Sequence, residues 1–292
     1  MRRNVTARTR WCVLCVFALV FALVFSVGRP AHGAEEYVIQ NLPGIDPAVA
    51  RAVGEDLTRC VGFYASHMKR RLGRQIPVYI YTTEEAFAQG VQQHGGESAV
   101  GAARWARTAA LVVRNGNVFI HQGRIALMFP RDRSAAICGA VGLLFQRELI
   151  TERGQSGHQW LRQGYAEMMA ILALDAFGLE PAAGRRAQAV AALRAVRRSG
   201  RGFPRLADID TIERYQVALD RYGPANVQYF TLVTAEFLLS KSSHEAYATY
   251  FRGLAPRGGA AADQQEAFKT AFGMTVEQFQ TQLDTYLADL TK

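Results

Sequence analysis

Apolar residues recur at helical spacing over most of this chain and alternate only in its first half. Val49, Val53, Leu57, Val61, Tyr64 and Met68 mark one face of a helix that Asp46-Pro47 opens with an acidic cap and a first-turn proline. Ile76–Thr83 alternates and is rich in β-branched and aromatic residues, which predicts a strand; Glu36–Asn41 is a shorter candidate. Thr82 and Thr83, followed by Glu84 and Glu85, cap a helix that ends near His94-Gly95-Gly96. Ala109–Val113 and Asn117–His121, joined by an Asn115-Gly116 turn, read as a hairpin.

From Asp132 onward the pattern is almost wholly helical. Segments fall over 134–149, 159–177, 184–198, 224–239, 243–254, 260–271 and 275–290, with Gly, Pro or Ser breaks such as 178–181, 202–204 and 256–259. The expected fold is α+β: a small N-terminal sheet with a hairpin and long helices over 35–131, then a mostly helical lobe over 132–292. No internal repeat or low-complexity tract interrupts it.

Before Glu35 the chain has the character of a targeting segment. Arg2, Arg3, Arg8 and Arg10 precede a nearly unbroken apolar run from Trp11 to Val27, and small residues follow around Ala31–Ala34. A signal peptide over 1–34, cleaved after Ala34, is the expectation; an uncleaved membrane anchor over 11–27 is the alternative. The protein is therefore expected to be exported, periplasmic or secreted. That segment also changes the charge. The whole chain carries +9, but five arginines and no acidic residue precede Glu35, so the remainder carries +4. Nucleic-acid binding is not indicated, and the arginines between Arg194 and Arg201 read as solvated helix ends. Cys60 and Cys138 remain after cleavage. They could pair in an oxidising compartment, although two separate buried thiols are the simpler expectation.

The chain is organised around Ser134–Ala170, an apolar helix, a Gly-rich break and a second helix opening Trp160-Leu161-x-x-Gly164-x-Ala166-Glu167. Together with the order of the other elements and Phe272-Gly273 ahead of a final amphipathic helix, this stretch resembles the peptidase-MA-like gluzincins, exported relatives of the thermolysin-type zinc metallopeptidases. The resemblance implies a His-Glu-x-x-His helix, whose i and i+4 imidazoles share one zinc, and a third ligand, a Glu, from the second helix. Those positions fall on Cys138 and Gly142 for the histidines, Gly139 for the general base and Gln163 for the third ligand. None carries the required chemistry. A pseudopeptidase with a degenerate site is expected, with no catalytic residue, no metal and no cofactor.

Other chemistry-bearing residues near that frame have plainer readings. Glu167 is an accompanying residue of the motif, His158 a surface cap, and Glu148 lies too far along its helix from Cys138 to share a metal. His244-Glu245 begins the zinc motif but has Ala248 where the second histidine would stand, and reads as a helix start. The apolar surroundings of Cys138 do not favour a thiolate nucleophile. Tyr165, Tyr222 and Tyr229 are candidate cleft-lining aromatics.

Three functional readings stay open: a binding or scaffold module of the cell envelope, an enzyme with an unrecognised or partner-completed site, and a structural protein with a filled cleft. A peptide or envelope protein is the expected partner for the first, docked on an exposed strand edge that the resemblance places at Asn117–His121. Membrane contact is expected only through an uncleaved N-terminal segment.

Overall fold

A computed structural model describes residues 37–40, 43–150, 157–254 and 263–292. The signal segment, the alternative anchor and the break at 256–259 lie outside the described residues. Among the described residues no helix is long and apolar enough to cross a membrane.

Residues 36–292 form one compact unit of α+β architecture. Four strands make a mixed sheet: β1 (Tyr37–Gln40), β2 (Ile76–Tyr81), β3 (Leu111–Arg114) and β4 (Asn117–His121). The spatial order is β1-β2-β4-β3, with β1, β2 and β4 parallel and β3 antiparallel to β4. The edge beside the hairpin is thus β3, its first strand. Asn117–His121 is internal, contrary to the sequence expectation, because β2 pairs with it on its other side. The turn itself forms as expected, Asn115 and Gly116 both taking the positive φ that a two-residue hairpin loop requires (49° and 75°).

Among the described residues twelve α-helices follow or interleave: α1 (Pro47–His67), α2 (Glu84–Gly95), α3 (Ala99–Thr108), α4 (Gln122–Leu127), α5 (Pro130–Leu149), α6 (Gln159–Ala176), α7 (Ala182–Arg198), α8 (Ile212–Tyr222), α9 (Pro224–Ser240), α10 (His244–Gly253), α11 (Gln264–Phe272) and α12 (Val276–Leu290). The sheet is covered on both faces. Ile76, Val78, Ile80, Val118 and Ile120 face the main core with α1 and α5, while Tyr81, Val112 and Phe119 pack on α2 and α3 in a smaller one.

The main core runs without a break from the sheet into the helical region. The residues shared with the zinc-protease pattern hold it together by packing. Trp160 is fully buried and stacks on Phe279 of α12 at 5.8 Å. A Cβ at Gly164 would overlap the Thr231 carbonyl, so a glycine is needed where α6 and α9 cross. The Arg194 and Arg197 side chains are exposed, as expected, and also donate to the Leu290 and Ala288 carbonyls at the end of α12.

Two links bind α1 to α5. Asp56, fully buried, accepts from Ser134 Oγ at 2.8 Å and Arg133 Nε at 2.7 Å, and pairs with Arg59. Cys60 and Cys138 form a disulfide spanning 78 residues. The simpler expectation of separate thiols fails because facing turns of α1 and α5 bring the two Cα atoms to 5.1 Å. Opening this bond by the double substitution Cys60→Ser, Cys138→Ser should lower stability by about 2–4 kcal/mol. Urea unfolding of the oxidised, reduced and double-variant proteins checks this, and matching midpoints for all three would contradict it.

Candidate functional site

Helix α5 has two faces with different duties. On one, Cys138 bonds Cys60, and a Cβ at Gly142 would overlap the Tyr64 hydroxyl of α1. Tyr64 is fully buried, stacks on Phe145 and reaches the Ala166 carbonyl of α6 at 3.3 Å. Two of the four sequence-derived positions, Cys138 and Gly142, therefore belong to the α1–α5 interface and not to a cleft.

The opposite face of α5 lines an open cavity of about 660 Å³. Ala135, Ala136 and Gly139 point into it, opposite Gln163, Ala166 and Glu167 of α6. These three stand at i, i+1 and i+4, three residues before the Cys138, Gly139 and Gly142 positions that the resemblance implies. The remaining walls are Ala110–Arg114 along β3, Trp105 of α3, Tyr215 of α8, and Gln228 and Tyr229 of α9. Of the expected cleft residues, the fold thus gathers Gly139, Gln163, Glu167 and Tyr229. It sends Tyr165 elsewhere, buried against Tyr247 at 4.2 Å with its hydroxyl on His244 Nδ1 at 3.0 Å. Tyr222 lies at the far end of α8, away from this cavity.

The zinc ion that the resemblance implies does not fit these residues. The face that would carry two imidazoles and a general base presents methyl groups and a hydrogen, and the third position is the neutral Gln163. Among the described residues, no group of three or more His, Cys, Asp or Glu side chains stands close enough to hold a metal. His158 also differs from its expected role. It is buried, not a surface cap, because Asp210 meets its Nδ1 at 2.5 Å and Tyr250 stacks on its ring. His244 does begin a helix, capped by Ser243, and its neighbour Glu245 pairs with Arg252.

The cavity is polar at its two ends and apolar between them. Along α5 the lining of this cavity runs from Asp132 through Ala135, Ala136 and Gly139 to Leu143, and that of an adjoining recess continues to Arg147, about 22 Å in all at the rise of an α-helix. Helix α6 runs the other way, since Gln146 donates to the Arg162 carbonyl whereas Tyr64, beside Gly142, reaches Ala166. Glu167 therefore sits towards the Asp132 end. Burial pushes its carboxyl above the ordinary value, against the opposing effects of a Gln228 hydrogen bond and the Arg185 charge, with Glu180 adding to the rise. Burial likewise lifts the Tyr215 hydroxyl, to about 12.

Sequence patterning missed several lining residues. Tyr215 and Trp105 lie on α8 and α3, two helices that were not expected. Their signals were present, as Thr211 and Ser98 caps ahead of short amphipathic runs.

No protein-family model, no curated protein and no solved structure matches this chain.

Because Glu167 binds its proton more tightly folded than unfolded, its protonation favours the folded state at low pH. That contribution is lost as pH rises from the ordinary carboxylate range through the elevated folded value. Glu167→Gln should therefore be more stable than the parent at neutral pH, with the difference vanishing below the ordinary carboxylate range. Thermal unfolding over a pH series checks the sign, and a variant less stable at neutral pH would contradict it.

Proposed function

We propose that this chain is an exported, non-catalytic, peptidase-derived binding protein whose cleft takes an extended peptide segment of an envelope partner. The observation that carries this reading is the pairing of an open cavity with a strand edge in its wall, β3, which among the described residues pairs with no strand but β4. The His121 amide donates to the Ala110 carbonyl, which makes those two residues, then Val112 with Phe119 and Arg114 with Asn117, the hydrogen-bonded pairs of the hairpin. The backbone groups of Leu111 and Val113 therefore point away from β4, the Val113 carbonyl accepting from Arg114 Nη1 at 3.4 Å, and both residues line the cavity. An extended chain laid there gains main-chain hydrogen bonds at alternate residues.

The middle of the cleft favours binding over chemistry. Ala135, Ala136, Gly139, Leu143 and Ala166 give a smooth neutral floor on which side chains of the ligand can rest. The open volume supports this reading over a filled cleft. Descent from a gluzincin-type peptidase accounts for the frame of Trp160, Leu161, Gly164 and Ala166 around substituted ligand positions. Export accords with the Cys60–Cys138 disulfide, since such bonds persist chiefly in oxidising compartments.

Gly139 is the position that tests the cleft, because a Cβ built there meets nothing within 4 Å. Gly139→Leu should fold at least as stably as the parent, as leucine is a better helix former by roughly 1 kcal/mol, and should fill the groove. Peptides selected from a random displayed library by the parent protein should bind this variant at least about tenfold more weakly, a loss of ~1.4 kcal/mol. Methylating alternate peptide amides should weaken binding with a period of two. Equal binding to parent and variant, or a selection that enriches nothing, would overturn the proposal.

A further inference from the structure

A second cavity, of about 280 Å³, opens from the cleft and shares Trp105, Val113, Arg114, Leu143, Gln163 and Tyr215 with it. Its own walls add Arg147 from α5 and Arg162 from α6. Three guanidinium groups thus border one recess, and they differ in how they are neutralised.

Arg114 is already paired. Its Nε lies 2.9 Å from Glu97 Oε2, and its guanidinium sits over the Trp105 ring at 5.2 Å. Burial alone would raise the Glu97 carboxyl; hydrogen bonds and charge from Arg114, with the Ser98 amide, hold it below its usual value instead. Among the described residues, Arg147 donates to the neutral Asn115 Oδ1, at 3.2 Å, and pairs with no carboxylate. Arg162 has less still. Its Nε is sealed from solvent with no hydrogen-bond partner, and no carboxylate among the described residues pairs with it.

An arginine cannot escape this position by losing its proton, as a lysine could. A recessed guanidinium without a counter-charge is costly, and the cost falls when an anion arrives. The neighbouring charges sharpen the case: burial first, then Arg114 and Arg147, push Arg162 below its ordinary value, with Tyr250 opposing. Beyond its glutamines, Asn115 and Tyr215, the recess offers donors and apolar walls and, among the described residues, no acidic side chain.

We propose that this recess is a carboxylate subsite, in which Arg162, with Arg147 beside it, receives a carboxylate of the ligand lying in the cleft. It rests on the peptide-binding reading for what precedes the carboxylate, but not for the subsite itself. The planar fork of Arg162 suits two-pronged recognition of the two carboxylate oxygens. A carboxylate here could be a chain terminus or an Asp or Glu side chain. Because Arg114 ends β3, a terminal carboxylate at this end would make the bound strand run parallel to β3.

The test uses small probes first. N-acetyl-leucine and its amide are titrated into the full protein and into Arg162→Gln, followed by ligand-observed NMR. The acid should bind the parent about tenfold more tightly than the amide, equivalent to ~1.4 kcal/mol, and the variant should lose this discrimination while binding the amide unchanged. Arg162→Gln should also leave thermal stability equal or higher, since it removes a buried unpaired charge. Acid and amide binding alike, or a variant that still prefers the acid, would overturn the subsite.

Library peptides with free or amidated C-termini, with and without an internal Glu, then identify the source. If the small acid binds through Arg162 but no peptide does, the subsite stands and the strand-edge reading falls. If peptides bind without regard to any carboxylate, the subsite falls and the strand-edge reading stands.

Discussion

A disulfide and a buried tyrosine hold one face of α5 against α1, and the remaining architecture follows from that one-sided attachment. Cys138, Gly142 and Phe145 pack towards Cys60 and Tyr64, so the helix is fixed in rotation about its axis. With that rotation set, Ala135, Ala136 and Gly139 must face the other way, where α6 presents Gln163 and Glu167. The buried Asp56 network with Ser134 and Arg133 fixes the start of the same helix. A charge taken out of water is tolerable there because it meets a hydroxyl and guanidinium groups. The cleft is in this sense a by-product of how the opposite face is anchored.

Much of the frame was legible in the sequence. The α1 face, the Ile76–Thr83 strand and the Asn115-Gly116 turn carry local signals that tertiary structure has no reason to override. Helix rotation was not legible. Both faces of α5 consist largely of small and apolar residues, so periodicity could not say which faced the cleft. Contacts across α1 decide it, the disulfide among them, and no spacing rule pairs two cysteines 78 residues apart. The strand order was hidden for a related reason. The hairpin signal gives β3 and β4 as neighbours but not which of them pairs with β2. His158 was misjudged because its partner, Asp210, is 52 positions away.

The site is defined more by what surrounds a neutral centre than by the centre itself. Small residues at 135, 136 and 139 leave room, and Gln163 offers hydrogen bonds without charge. Acidic Asp132 and Glu167 lie towards one end; Arg147 and Arg162 lie towards the other. Arg185 also lines the end where Glu167 sits, and the backbone groups of Leu111 and Val113 point away from β4.

The state of the β3 edge is the point on which the account stands or falls. Amide hydrogen exchange, resolved by NMR on the free protein and again with a cleft-binding peptide, reads it residue by residue. In the free protein the Val112 and Arg114 amides should be protected by β4 while those of Leu111 and Val113 exchange rapidly. The peptide should then protect Leu111 and Val113. Uniform protection of all four amides in the free protein, or bound peptide that leaves Leu111 and Val113 unprotected, would contradict a cleft that works by adding a strand.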